Sequence, residues 1–301
     1  MSKGQLLLLK QIIGAGDGSA SLPLPTLRAN LEAFLSRFPP VEGVSARPVN
    51  ADGVPCEWLS GPWLEDPARA ATLLYFHGGG FVVGSAASHR QLAARLARAA
   101  GARCLSVDYR LAPEHPYPAA LEDAHAAYRW LLDQGSGQGD QIAWAGDSAG
   151  AGLALLAASQ LPSRDLPRPC ALVAMSPWVD YAGTTDSLDR HAALDPVVQR
   201  AGLEKMARIY LDGADPWDPA VTPLRADLSA LPPLLIQAGG SESLLDDSQR
   251  LAERALAAGV PARLEVWPEM IHVWQLFAGR LDEGRQAIEQ AGDFLQRAFR
   301  A

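Results

Sequence analysis

A chain of 301 residues, 48% of them hydrophobic, can bury a sizeable core, and α/β sheets of this length often form one domain with insertions. Its formal net charge of −8 comes without a Lys/Arg run or basic stripe, so the electrostatic footprint of a nucleic-acid or anionic-membrane binder is missing. The apolar run from Leu6 to Leu9 stops at Lys10, too short for a signal-peptide core or a spanning helix. Cys56, Cys104 and Cys170 lie far apart with no CxxC pair, so a cytoplasmic protein with free thiols and no zinc site is expected.

In chain order, the first 49 residues read as two amphipathic helical pieces, residues 6–13 and 27–38, separated by residues 14–21. From Ala71 short apolar runs alternate with helical patterns, the signature of strands and crossover helices in a mostly parallel sheet. Strands are predicted at 72–76, 103–107, 141–145, 171–175, 234–238 and 263–267. Helices are predicted at 88–100, 118–132, 149–159 and 244–258, and a last one at 282–299. Ser88 reads as an N-cap, and Gly101 and Gly259 as helix stops, the second followed by Pro261. Residues 180–231 break the rhythm with a polar, Pro-containing segment holding one helix near 203–211, an insertion of the kind that builds a lid. The domain reading is a cap from 1–49 and 180–231 on a core made of 50–179 and 232–301.

Gly146-Asp147-Ser148-Ala149-Gly150 matches G-x-S-x-G between an apolar strand and a helix of small residues. The serine of such an elbow sits in a sharp turn where only glycines fit around it, and the helix N-terminus behind it favours developing negative charge. His77-Gly78-Gly79-Gly80 follows the first parallel strand and supplies side-chain-free backbone for an oxyanion hole, assigned to the amides of Gly79, Gly80 and Ala149. Serine needs a base, and in this strand–elbow–helix arrangement the order is nucleophile, acid, histidine. His77, His89, His115 and His125 precede Ser148 and His191 falls in the insertion, so His272, after the last strand, is the base. Glu242, Asp246 and Asp247 all follow the strand ending at Ala238. Order does not choose among them. Asp246 is accounted for by a capping box with Ser243, and Asp247 by the helix dipole, which favours Glu242 as the third group. A carboxylate partner is expected to raise the His272 pKa.

Together these residues resemble the bacterial hormone-sensitive-lipase-like esterases, a family of α/β-hydrolases. The resemblance also takes in Asp108 to Asp123 (DYRLAPEHPYPAALED), Ser176 to Asp180 (SPWVD), Asp195-Pro196, Leu231 to Ser248 and Met270-Ile271-His272. It implies an α/β-hydrolase fold, an eight-stranded, mostly parallel sheet flanked by helices, with a helical cap from the N-terminus and an insertion after the sixth strand. It implies hydrolysis of short- to medium-chain acyl esters through Ser148, His272 and Glu242 and an acyl-enzyme, with no metal and no cofactor. Many relatives carry Asp, usually followed by Pro, where Glu242-Ser243 stands here. Asp108, Arg110, Glu114 and Asp123 look like framework ion-pair residues, and the strand 263–267 like a sheet edge where relatives pair as homodimers. An amidase or lactonase can run on the same machinery, and a non-catalytic small-molecule receptor on the same fold would lack the histidine that stands here at 272.

Overall fold

The computed structural model describes residues 2–14, 22–67, 70–134 and 141–301. Its centre is set by strands apolar on both faces, which only a sheet covered on both sides can bury. β3 (Thr72–Phe76) is wholly buried, with Leu74 and Phe76 in one core and Leu73 and Tyr75 in the other. β4 (Arg103–Val107), β5 (Ile142–Asp147), β6 (Leu172–Met175), β7 (Leu234–Gly239) and β8 (Ala262–Trp267) run parallel to it, each within two residues of its expected ends. β8 is an edge, as expected.

Two strands escape the sequence reading. β1 (Ser45–Ala51) and β2 (Val54–Ser60) form an antiparallel hairpin that docks on β4 and completes the sheet in the order β1-β2-β4-β3-β5-β6-β7-β8. The boundary expected between residues 49 and 50 therefore falls inside β1. β1 is a mostly exposed edge strand with Pro48 in it, so no apolar alternation marks it. The available signal was Asp52-Gly53, which joins Ala51 to its partner Val54 with positive φ at both residues, the chemistry of a two-residue hairpin loop.

The crossover helices are α3 (Ala86–Ala100), α4 (Ala119–Asp133), α5 (Ala149–Ser159) and α8 (Leu245–Ala257), and the C-terminal α9 (Asp282–Ala298) follows the last strand. α5 is apolar all round and buried from Ala149 to Ala158. α3 starts two residues earlier than expected because Ser85, not Ser88, is its N-cap. Ser88 is the N3 partner that returns a bond to the cap backbone. Gly101 closes α3 with φ 64 as expected.

Outside the sheet lie α1 (Lys3–Gly14), α2 (Leu24–Leu35), the short α6 (Ser187–Arg190) and α7 (Arg200–Leu211). Leu6 and Leu9 of α1, Leu35 of α2 and the adjoining Phe38 pack with Met270, Ile271, Trp274 and Phe277, the segment around His272. α2 also sends Arg28 to the Val82 and Ala112 carbonyls and to Glu114, and Glu32 accepts from Ser85 Oγ. Glu114 thus pairs with Arg28 across to the N-terminal helices, while Arg110 grips Asp123. Asp108 makes a different contact from the expected ion pair, accepting the Ala86 amide at the start of α3. Among the described residues no helix is long and apolar enough to cross a membrane.

Candidate active site

β5 ends at Asp147, and Ser148 turns the chain into α5 with φ 52 and ψ −121, a conformation L-residues rarely adopt. The turn is this tight because its neighbours touch backbone to backbone. A Cβ on Gly146 would lie 2.6 Å from the Gly150 carbonyl, and one on Gly150 only 2.2 Å from the Phe76 carbonyl oxygen. Met175 holds the turn from the next strand by accepting the Ser148 amide at 2.9 Å. Ser148 Oγ stands 3.0 Å from His272 Nε2, so the two residues that sequence order paired across 124 positions meet. His272 is 4% exposed, and burial holds its imidazole below the ordinary range although Asp147 and Asp195 act upward. The expected rise is therefore not found: desolvation outweighs the acidic neighbours.

Glu242 is buried in the turn after β7. Its Oε2 accepts from Ser176 Oγ at 2.6 Å and from the Gly239 amide at 2.9 Å. Among the described residues its Oε1 has no hydrogen-bond partner, and neither has Nδ1 of His272. Burial pushes the Glu242 carboxyl well above the carboxylate range, with the Ser176 and Gly239 donors acting the other way. The competing carboxylates are occupied elsewhere. Asp246 accepts the Ser187 amide and pairs with Arg190 at 2.6 Å. Asp247 accepts the amides of Val179 and Asp180 and the Thr185 hydroxyl, although burial pushes its carboxyl up to about 7. The capping box expected from Ser243 and Asp246 does not form. Leu244 is the N-cap of α8, and Ser243 Oγ donates to the Val198 carbonyl instead.

Gly79 and Gly80 lie in the loop after β3 with φ of 120 and 61. A Cβ on Gly79 would sit 2.0 Å from the Val83 carbonyl oxygen, which leaves it no room, while one on Gly80 would displace the Met206 side chain of α7 and be strained by the positive φ. Ala149 is the first residue of α5, and its amide has no carbonyl four residues back to bond within the helix. The loop is anchored by a residue the sequence reading did not single out, the variable position of the serine motif. Asp147 accepts from the Gly78 amide at 3.0 Å and Tyr75 Oη at 2.5 Å, with His89 Nε2 at 3.5 Å. Desolvation pushes its carboxyl up, but His89, Tyr75 and His77 outweigh that and hold it below the usual value. His77 stacks on Tyr109 at 4.2 Å and donates through Nδ1 to the Gly78 carbonyl; burial, then the neighbouring His89, takes its pKa down to about 3. It shapes the loop as a neutral ring.

Comparison with known proteins places the fold and the family. A family model described as the α/β-hydrolase fold matches residues 73–276. The chain is 50% identical to an acetyl-hydrolase of Streptomyces hygroscopicus over 238 residues, 78% of this chain and 79% of the other. It is 37% identical to an esterase of Acinetobacter venetianus over 270 residues, 89% and 87% of the two chains. Among solved structures, an esterase from the bacterial hormone-sensitive lipase family superposes with a TM-score of 0.94 at 43% identity over 98% of both chains. The chain is an esterase of that family. A structure of EstE5 soaked with p-nitrophenyl butyrate is similar to the same degree, with a TM-score of 0.93 and 41% identity over 99% of both chains.

In the esterase the insertion does more than flank the site. His191 Nδ1 donates to the Glu242 carbonyl at 2.9 Å, Asp195 accepts the Ser243 amide at 2.8 Å, and Ser187 Oγ donates to the Ser243 carbonyl at 2.7 Å. Sequence order discarded His191 and assigned no role to Asp195. Both hold the turn that carries Glu242, and the Asp195-Pro196 motif was the signal. On the other side, Tyr210 of α7 stacks on Phe81 at 3.7 Å, next to the glycine loop, with Trp178 and Tyr181 around the same ring.

Proposed function

We propose that the esterase cleaves short- to medium-chain acyl esters through Ser148, His272 and Glu242 by way of an acyl-enzyme. The observation that carries this is the 3.0 Å approach of His272 Nε2 to Ser148 Oγ at a strained elbow facing a glycine loop. Ser148 Oγ attacks the ester carbonyl as His272 takes its proton, and the amides of Gly79, Gly80 and Ala149 receive the oxyanion. His272 then protonates the departing alcohol and activates the water that releases the acid. Oε1 of Glu242 and Nδ1 of His272, both buried and unpartnered, are the atoms whose bond would hold the ring in its tautomer. The occupied partners of Asp246 and Asp247 support Glu242 over either.

The acyl preference rests on the acetyl-hydrolase and the butyrate-soaked relative, and on Met206 and Tyr210 crowding the glycine loop. We read α1, α2 and the insertion as a cap bounding the pocket, β8 as the edge for a homodimer, and buried Cys56 and Cys104 as thiols of a reducing, cytoplasmic compartment. A series of p-nitrophenyl esters tests the main reading. Turnover should peak at short to medium acyl chains and vanish in Ser148→Ala at unchanged circular dichroism. Turnover retained in that variant would refute the scheme, and a single-chain mass by light scattering would remove the dimer.

A further inference from the structure

Among the non-glycine residues near the site that hold positive φ are Ser148 at 52, Ser176 at 47 and Val273 at 45. Val273 is β-branched, for which this conformation is a genuine outlier, and strain of this kind persists only where surrounding bonds over-determine it. Ser176 supplies such bonds. It follows β6, is fully buried, and its amide is held by the Gln237 carbonyl of β7 at 2.7 Å. Its single hydroxyl proton goes to Glu242 Oε2 at 2.6 Å, and its oxygen accepts the Val273 amide at 3.0 Å. One side chain is therefore bonded to the carboxylate from one loop and to the backbone beside His272 from another.

We propose that Ser176 is a positioning residue for turnover, a hydroxyl bridge that sets Glu242 and the His272 loop relative to each other. The inference rests on the reading of Glu242 as the third member of the triad. By occupying Oε2 together with the Gly239 amide, Ser176 leaves Oε1 as the oxygen open to the imidazole. By taking the Val273 amide it keeps the strained residue after His272 in register, so both ends of the acid–base contact are referred to one atom. Nothing in this role touches substrate, so its loss should fall on the chemical step rather than on binding.

The test is a double-mutant cycle of Ser176→Gly and Glu242→Gln, read as kcat and KM on p-nitrophenyl butyrate at matched folded concentration. Glycine removes the hydroxyl and suits the positive φ, and Ser176→Ala is the check if the glycine variant folds poorly. Ser176→Gly should lower kcat on the order of 10²-fold, the usual cost of a small misplacement, with KM within about twofold. In the Glu242→Gln background the same change should cost little more, because the bridge no longer has a carboxylate to set. Full kcat in Ser176→Gly, a loss confined to KM, or losses that multiply in the double variant would overturn the bridge. If Ser176→Gly is slow while Glu242→Gln keeps full turnover, the triad reading fails and the bridge with it; if only Glu242→Gln is slow, the bridge alone fails.

Discussion

In the proposed mechanism His272 must be neutral to take the Ser148 proton, and burial favours the neutral ring. Activity should therefore be full above a lowered pKa and fall only as pH drops through it. The acid limb of kcat/KM for p-nitrophenyl acetate is expected below the ordinary imidazole range, and a limb above that range would mean that an ionised partner outweighs burial. The same sign governs stability, because the unfolded chain takes a proton here that the folded one resists. This group withdraws stability as pH falls from the ordinary histidine range through its lowered value. Glu242→Gln should cost on the order of 10⁴-fold in kcat if it behaves like a serine-protease aspartate. Asp246→Asn, which loses its pair with Arg190, should keep most turnover, and the reverse ranking would move the acid to Asp246.

At the level of elements, the elbow depends on α5 approaching β3 more closely than any side chain allows. Gly150→Ala would drive a methyl to 2.2 Å from the Phe76 carbonyl and 2.3 Å from that of His77, both backbone atoms that cannot step aside. Turnover should be lost together with a fall in Tm, whereas Ser148→Ala should lose turnover alone. The start of α3 gives a milder case: Ser85→Ala removes a reciprocal cap and should cost about 1 kcal/mol, read from a urea midpoint. Asp195 links the insertion to the turn of Glu242, and its carboxylate also accepts the amides of Val197 and Val198. Asp195→Asn can face those donors with only one acceptor oxygen, leaving a buried amide unmet at about 1–3 kcal/mol. Lower stability with kcat reduced more than in Asp246→Asn is the expected pattern; unchanged kcat would show that the insertion does not steady the acid.

For the whole molecule, the N-terminal helices pack over the segment that carries His272. Phe34 and Phe38 meet Phe277 edge-on at 6.3 and 5.1 Å, and Leu6 and Leu9 lie over Met270 and Trp274. Removing the first 35 residues should expose this apolar cluster, lowering solubility and altering the chain-length profile while the sheet stays folded by circular dichroism. An unaltered profile would show that the segment lines no part of the pocket. Phe38→Ala, which keeps the helices, should cost on the order of 3 kcal/mol from the same cluster.

The central apolar strands, the helices between them, the Ser148 elbow and the loop of Gly79 and Gly80 were legible in the chain because each obeys a local rule, and chain order pointed to His272, which the fold brings to Ser148. Strands buried on both faces must be apolar, and an elbow or an oxyanion loop must be glycine-rich wherever it occurs. The hairpin of β1 and β2 was not, since an exposed edge strand needs no apolar pattern and only Asp52-Gly53 announced it. Local reading also misjudged Asp246, because a carboxylate at a helix start looks like a cap but here Ser187 and Arg190 of the insertion claim it; Asp247 does lie in the first turn of α8, though its hydrogen bonds run to Val179, Asp180 and Thr185. Asp147, Ser176, His191 and Asp195 had no local mark of their task. Their contacts to Gly78, Glu242 and Ser243 span at least 48 residues of sequence, and only the folding of distant loops onto one sheet edge decides which side chain a buried donor or acceptor meets. The His272 pKa belongs to the same class, because the sum of burial and neighbouring charge is a property of the folded site and not of the residue.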